Sequence, residues 1–254
     1  MLKLFKISFI LLISPFLAQG QALDTTYAPI PQKNYFKQIH VGFSVGISMP
    51  MGSFSNKNNE VNNAAFAKTG FNYNMIDAGY RMGKTLGVCA SYINVNNELS
   101  VKDLIQRINQ NNAIKFVHGQ SGDYQMNGLI LGLLVSKKDR IIDLDLKFMG
   151  GISNVYIPQL VLDYKNASTN EVETIRYKPI NKNTFGVGLS AGFRVHITQH
   201  LDFMCHGNYL IFQNTFDRQV ESVQGVSIEK TKLNYEVFNL NIGIAYRFLN
   251  DKRL

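Results

Sequence analysis

Four charged residues, on two segments expected to form neighbouring strands, have the spacing best suited to acid–base chemistry. Asp143 and Asp145 lie two residues apart in IIDLDLKFMG, and Arg194 and His196 have the same spacing in FGVGLSAGFRVH. In an extended chain, residues two apart point to one face. Paired carboxylates can carry out acid–base chemistry when one of them keeps a proton. Adjacent arginines favour the ionised form of both, so we interpret the group as a structural charge cluster.

The elements that must position these residues are strands with one apolar face and one polar or small face. In EVFNLNIGIAYRF (236–248), apolar side chains fall at every second position, with Asn, Gly, Ala or Arg between them. This alternation is typical of a β-strand. It recurs at 40–48, 85–92, 141–150 and 185–196, and less regularly at 70–82, 123–135 and 201–212. The pattern predicts about eight strands, each long enough for the roughly 9–11 residues of a membrane-crossing strand.

The connections between these strands alternate in length. Tight turns are predicted at 83–84, 137–140 and 198–200, and long polar segments at 49–68, 96–122, 154–183 and 213–233. This asymmetry is typical of a closed antiparallel transmembrane β-barrel with short periplasmic turns and long extracellular loops. A soluble sandwich or lipocalin-like barrel would have the same period with its apolar face inward. A ten-stranded barrel would require 154–183 to return into the membrane.

The N-terminus predicts export. Lys3 and Lys6 precede an apolar run and the small and polar residues Ala18-Gln19-Gly20, as in a cleaved secretory signal. We expect a signal peptide at 1–20, a periplasmic segment at 21–37, the barrel at 38–248 and a tail at 249–254. The charge of +8 falls to +6 without the two lysines. The positive residues are scattered, without a basic run, so we expect them to contact anionic lipid headgroups or lipopolysaccharide and expect no nucleic-acid site.

The interior of the barrel is expected to carry a charged plug in its periplasmic half. Alternation and strand order bring Asp202 near both Arg194 and Arg247, with His40 in the same half. The predicted luminal cluster comprises Asp143, Asp145, Lys147, Arg194, His196, Asp202 and Arg247. Abundant luminal glycines predict a roomier outer half, although eight strands enclose little more than their own side chains. Cys89 and Cys205 are expected to be free thiols within strands.

Two motifs resemble those of the small outer-membrane β-barrel family of Gram-negative bacteria, which includes porin-like, OmpX-like and PorT-type barrels. The first strand, HVGFSVGISMPMGSF, contains the Gly-x-Ser-x-Pro-x-Gly-x-Phe pattern at Gly46, Ser48, Pro50, Gly52 and Phe54. The last strand is similar to the family's C-terminal insertion signal, at Asn241, Gly243, Tyr246 and Phe248. The resemblance implies an outer-membrane location and insertion by the barrel-assembly machinery.

Three segments between the strands have a regular pattern of their own. VQGVSIEKTKL alternates around a Gln224-Gly225 turn, and QLVLDYKNASTNEVETIRY alternates around 167–170, so both predict protruding hairpins. Ser100 begins a helix in SVKDLIQRINQ, whose apolar residues would cover the barrel mouth, lie on headgroups or pack locally.

Several sites that would imply catalysis are disfavoured. GYRMGKT lacks the spacing of a phosphate-binding loop. A metal site from His40, His196 and His200 lacks supporting acidic or Cys spacing. A lipid-modifying site at His118 lacks an assured carboxylate partner.

We therefore expect a monomeric, non-enzymatic outer-membrane barrel without cofactor or metal. Its protruding hairpins would bind an extracellular protein or stabilise the envelope. The alternatives are passage or capture of a small solute, and a PorT-like accessory role in protein secretion.

Overall fold

The computed structural model describes residues 38–57, 65–111, 115–139, 141–166 and 170–249. The predicted signal peptide, the 21–37 segment and residues 250–254 of the predicted tail lie outside these ranges. The elements are β1 (Gln38–Pro50), β2 (Gly70–Arg81), β3 (Leu86–Glu98), α1 (Val101–Asn111), β4 (Lys115–Ser121), β5 (Asp123–Lys138), β6 (Ile142–Ile157), β7 (Leu160–Lys165), β8 (Val172–Tyr177), β9 (Ile180–His196), β10 (Leu201–Ser222) and β11 (Gly225–Leu249). No helix in the described ranges has the length and apolar character needed to cross a membrane.

Eight strands form a closed antiparallel ring. The order is β1-β2-β3-β5-β6-β9-β10-β11, and β11 pairs back onto β1 from Gln38↔Leu249 to Pro50↔Val237. The predicted eight-stranded barrel is confirmed. The ten-stranded alternative is wrong, because β7 and β8 pair with each other, with β4 and with the outer end of β10.

The two faces of the ring differ in chemistry as the alternation predicts. Phe43, Leu144 and Ile244 point outward and are about half exposed, whereas their neighbours Ser44 and Asp143 point inward and are fully buried. On β11 the outward apolar row runs over residues 238–248. At about 3.3 Å per residue and a tilt near 40°, this row spans about 25 Å, the height of a transmembrane apolar band. The fold is therefore a transmembrane β-barrel, and the reversed polarity of a soluble barrel is excluded.

The barrel has a short-turn end and a long-loop end. The short-turn end carries the connections at 82–85, 139–141 and 197–200, although Arg140 lies outside the described residues. At the long-loop end β10 and β11 continue as a hairpin, with Ser222 paired to Gly225. Gly225 has a φ of +124°, which suits glycine in this turn. Both predicted hairpins are confirmed, the second as β7 and β8, while 167–169 of its turn are not described.

The helix α1 packs locally on the long-loop end. The Ser100 hydroxyl donates to Asp103 Oδ2 at 2.8 Å, as the sequence pattern for a helix start predicts. Leu104 and Ile108 are buried, and Val101 lies against Gly119 of β4. The apolar face of α1 is therefore covered by protein, so the interpretation that it lies on headgroups is wrong.

Candidate functional site

A charge network fills the lumen near the short-turn end. Adjacent strands β6, β9, β10 and β11 each direct alternate residues inward at this level. We define the short-turn charge network as Asp143, Asp145, Arg194, His196, Asp202 and Arg247. The structure therefore brings together six of the seven residues of the predicted luminal cluster.

Arg194 holds three carboxylates. Its Nε donates to Asp145 Oδ2 at 2.6 Å and its Nη2 donates to Asp145 Oδ1 at 3.1 Å. Its Nη2 lies 3.3 Å from Asp143 Oδ2, and its Nη1 lies 3.7 Å from Asp202 Oδ2. All four side chains are buried. Such two-pronged contact fixes the guanidinium in one orientation.

His196 and Arg247 complete the network. The ring nitrogens of His196 lie 2.8 Å from Asp202 Oδ1 and 3.3 Å from Asp143 Oδ1. Arg247 Nη2 lies 2.8 Å from the same Asp202 oxygen and donates to the Thr198 carbonyl at 3.0 Å. An imidazole facing two carboxylates donates to both only when it carries two protons. The group therefore forms a mutually compensating set of charges across the lumen.

Lys147, the seventh predicted residue, belongs to a separate group one layer further in. Its Nζ donates to Asp77 Oδ1 at 2.6 Å, and the Ser91 hydroxyl donates to the same oxygen at 3.2 Å. His206 Nε2 lies 3.7 Å from the second Asp77 oxygen. Sequence reasoning missed Asp77 and His206, although the Asp type within a strand was a usable signal.

A small cavity separates these two groups. It is lined by His40, Asp77, Asp145, Lys147, Ser190, Gly192, Phe193, Arg194, Met204, Cys205 and His206. The volume of this cavity is about the volume that one water molecule needs. His40 is buried and lies in the predicted half of the barrel. The cavity is too small to hold a solute larger than water.

The prediction of a roomier outer half is wrong. Gly186 and Gly188 leave no open space, because a Cβ on either would collide with Phe212 or Leu210. Apolar side chains fill this half, and they belong to one core that continues into the long-loop end. Its largest fully buried members include Ile93, Met126, Ile130, Leu210 and Phe212, and Leu134 extends the same core to the level of Lys147.

An aromatic group closes the mouth at the long-loop end. Phe54, which follows β1, packs against Tyr124 and Tyr235 with ring centroids 5.0 and 4.4 Å away. The Tyr235 hydroxyl donates to Asn97 Oδ1 at 3.0 Å, and the Tyr124 hydroxyl donates to the Ala65 carbonyl at 3.1 Å. Phe54, matched above to the end of a family motif, therefore serves as a stopper.

His118 lies on β4 at the long-loop end of the barrel, and His200 lies in the short turn between β9 and β10. His118 does have a carboxylate partner, because Asp163 Oδ2 lies 3.3 Å from its Nδ1. The Ser121 hydroxyl, however, donates to the Gln159 carbonyl and not to His118. His200 stacks on Tyr246, outside the lumen. Within the described ranges no three His, Cys, Asp or Glu residues are arranged to hold a metal.

The residues of the C-terminal motif divide between the two faces. Asn241 is buried in the lumen, where its Oδ1 accepts a hydrogen bond from Asn72 at 2.5 Å. Tyr246 and Phe248 face outward and pack edge to face at 4.8 Å. Both cysteines are free thiols, as predicted. The role of this motif in insertion stays a prediction.

The ring, its outward apolar band and its filled lumen define a small transmembrane β-barrel of the outer-membrane type. Solved structures similar to this chain include Neisserial surface protein A (10% identity, TM-score 0.43, covering 84% of this chain and 97% of that one). A major outer membrane protein from Thermus thermophilus has 13% identity and a TM-score of 0.45, and the match covers 84% of this chain and 99% of that one. The attachment invasion locus protein Ail of Yersinia pestis has 13% identity and a TM-score of 0.37, and the match covers 84% of this chain and 99% of that one. No protein-family model and no curated protein matches the sequence.

Proposed function

We propose that this protein is a non-enzymatic integral outer-membrane barrel that acts through its long-loop end. The hairpins there bind an extracellular protein or stabilise the envelope. The observation that carries the proposal is the filled lumen: the short-turn charge network, the apolar core and the Phe54 stopper lie in series. A barrel with this interior offers its outer surface for contact and leaves no route for solutes.

The length of the β10–β11 hairpin supports the proposal. Residues 225–236 of β11 continue beyond its apolar row, about 35 Å along the strand at about 3.3 Å per residue. Val223, Val226 and Ile228 at the tip are all about two-thirds exposed or more. Exposed apolar side chains at a projecting tip are suited to contact with a partner.

The expected setting follows from the general orientation of such barrels. The short turns face the periplasm and the long loops face outward. We propose removal of residues 1–20 on export, insertion by the barrel-assembly machinery, a monomeric barrel and lipopolysaccharide around its outer leaflet. None of these proposals requires a cofactor.

Single-channel recording of the refolded mature chain in planar bilayers tests the proposal first. We expect no stable conductance. Steady conductance would replace the proposal with solute passage through the lumen.

A shortened hairpin tests the role of the long-loop end directly. Replacing residues 216–231 by Asn-Gly would join β10 and β11 closer to the membrane by a tight turn. We expect the barrel to fold and the cell's resistance to detergent, or its capture of a surface partner, to be lost. The matched control carries the full hairpin with Thr215→Ser. Unchanged detergent resistance and partner capture in cells with the shortened hairpin would contradict the proposal. Co-purification of a secretion partner with the full chain would favour the accessory role in secretion. A lipid-modifying activity that is lost in His118→Ala would favour an enzyme.

A further inference from the structure

We propose that the short-turn end of the lumen contains an oxyanion-binding site formed by Gln38, Arg81 and Arg247. These residues lie on β1, β2 and β11, which are adjacent in the ring. Each side chain points inward, with exposed fractions of 2%, 4% and 5%. Neither Gln38 nor Arg81 was part of the predicted luminal cluster.

The three side chains carry buried hydrogen-bond donors that have no acceptor. Gln38 Nε2, Arg81 Nε and Nη1, and Arg247 Nε have no hydrogen-bond partner among the described residues. One nitrogen of each arginine and the Gln38 oxygen are held in place. Arg81 Nη2 donates to Gln38 Oε1 at 2.5 Å, and Arg247 Nη2 is fixed by Asp202 and the Thr198 carbonyl. A buried donor without an acceptor is costly, most of all on a charged group.

The backbone brings the three side chains within reach of one ligand. Gln38 is in register with Arg81, and Arg247 is in register with His40, two residues further along β1. β2 and β11 flank β1, so their backbones are about 10 Å apart, twice the spacing of neighbouring strands. Two arginine side chains span this separation from opposite sides of β1.

The surrounding charge favours an anion. Lys84, Lys137 and Lys138 are exposed at the same end of the barrel, and they would attract an anion towards the mouth. The nearest luminal carboxylates, Asp143 and Asp202, form ion pairs with Arg194 and His196, and Asp202 Oδ1 also lies 2.8 Å from Arg247 Nη2. Both oxygens of Asp143 and Oδ2 of Asp202 accept no hydrogen bond among the described residues, so the anion must bind on the Gln38 side of the two arginines. Guanidinium groups match the oxygens of phosphate and carboxylate in pairs. The ligand is thus a single oxyanion group, and we assign it as phosphate, either free or in a phospholipid headgroup.

Calorimetric titration of the refolded full mature chain in an uncharged, phosphate-free glucoside detergent tests this site. One arm uses inorganic phosphate and the other a soluble short-chain phosphatidic acid, so that the two phosphate sources are distinguished. We expect Arg81→Gln to weaken binding by about tenfold or more, as loss of a charged hydrogen bond predicts. The matched control is Lys102→Gln, which removes an equal charge from the exposed face of α1 at the opposite end.

A second variant keeps the test decisive if Arg81→Gln does not fold. Gln38→Glu retains an acceptor for Arg81, removes the free amide donor and adds a negative charge, so it should abolish binding while the barrel remains intact. Binding of a probe by the wild type that is lost in these variants supports the site. The probe that binds shows whether the phosphate is free or belongs to a phospholipid headgroup. Absence of binding by the wild type at millimolar concentrations of both probes would overturn the proposal, as would equal weakening by Lys102→Gln. Neither result bears on the hairpins, so the proposed function is tested separately.

Discussion

At the scale of single residues, Arg194 links three buried carboxylates of the lumen. Its one guanidinium contacts Asp143, Asp145 and Asp202. Loss of one partner from a buried ion pair costs more than the pair contributes, since the remaining charges stay in a poorly solvated site. The short-turn charge network therefore makes Arg194 a point of structural vulnerability.

We expect Arg194→Ala to lower the free energy of unfolding by about 3–5 kcal/mol, the usual cost of breaking a buried ion pair. Urea unfolding of the refolded barrel, followed by tyrosine fluorescence, measures this. The control is Lys68→Ala, which removes a 2.9 Å ion pair with Glu98 that is exposed and worth at most about 1 kcal/mol. Equal effects of the two substitutions would show that the network contributes no more than a surface pair.

Residue-level prediction from the sequence succeeded where alternation is regular and failed where it is interrupted. Asp143, Asp145, Arg194 and Arg247 lie in strands with strict alternation, and all of them point inward as predicted. Asp77 was missed because the β2–β3 register shifts between Asn74 and Ile76, which leaves Met75 and Ile76 both outward. A bulge exchanges the faces of every residue beyond it, and the sequence does not mark its position.

At the scale of elements, α1 depends on its first turn. Hydrogen bonds from Lys57 and Ser100 hold the pKa of the Asp103 carboxyl below its ordinary value. Because the folded-state pKa is lowered, the stabilisation is complete above the unfolded value of about 3.9 and is lost as the pH falls through the folded value. The carboxylate also lies at the N-terminal, positive end of the helix.

We therefore expect Asp103→Asn to weaken protection of the α1 amides from hydrogen exchange at neutral pH. The Asp103 carboxylate is partly exposed to solvent, so the effect is at most about fivefold, equivalent to 1 kcal/mol or less. The difference should vanish at a pH below the folded pKa of Asp103. Gln106→Ala, at an exposed position of the same helix, is the control and should show no such pH dependence. A difference that persists in acid would rule out the charge as the cause.

The Phe54 stopper gives a second prediction at this scale. Phe54 is fully buried between two aromatic rings. Its replacement by Ala should cost about 3–5 kcal/mol, as for other buried phenylalanines. Phe71→Ala removes the same side chain from a half-exposed position and should cost clearly less in the same unfolding assay. Similar costs would mean that the mouth has no defined closure.

The apolar core of the lumen shows why the elements were easier to predict than their packing. LILGLL in β5 and YLIF in β10 are apolar at nearly every position, so alternation assigns no face to them. In the structure Ile130, Leu134, Leu210 and Phe212 point inward. A run that is apolar on both faces fits a strand with lipid on one side and a packed interior on the other. The sequence therefore predicted the strands but not the filled outer half.

At the scale of the whole molecule, the lumen has two seals of different chemistry. The short-turn charge network closes one half, and the apolar core with Phe54 closes the other. Because ions must pass both layers in series, opening one layer leaves the other to block conduction. This arrangement predicts that the barrel conducts ions only when substitutions open both layers at once.

We expect Arg194→Ala to be silent in planar bilayers, and the double variant Phe54→Ala with Phe212→Ala to be silent as well. Only the triple variant should conduct, because it removes side chains from both layers. Circular dichroism and heat-modifiable migration in gels must first show that each variant is a folded barrel. Conductance by Arg194→Ala alone would mean that the apolar core does not seal the lumen. Silence of a folded triple variant would mean that further luminal side chains, such as Met126 and Leu134, suffice to close the barrel.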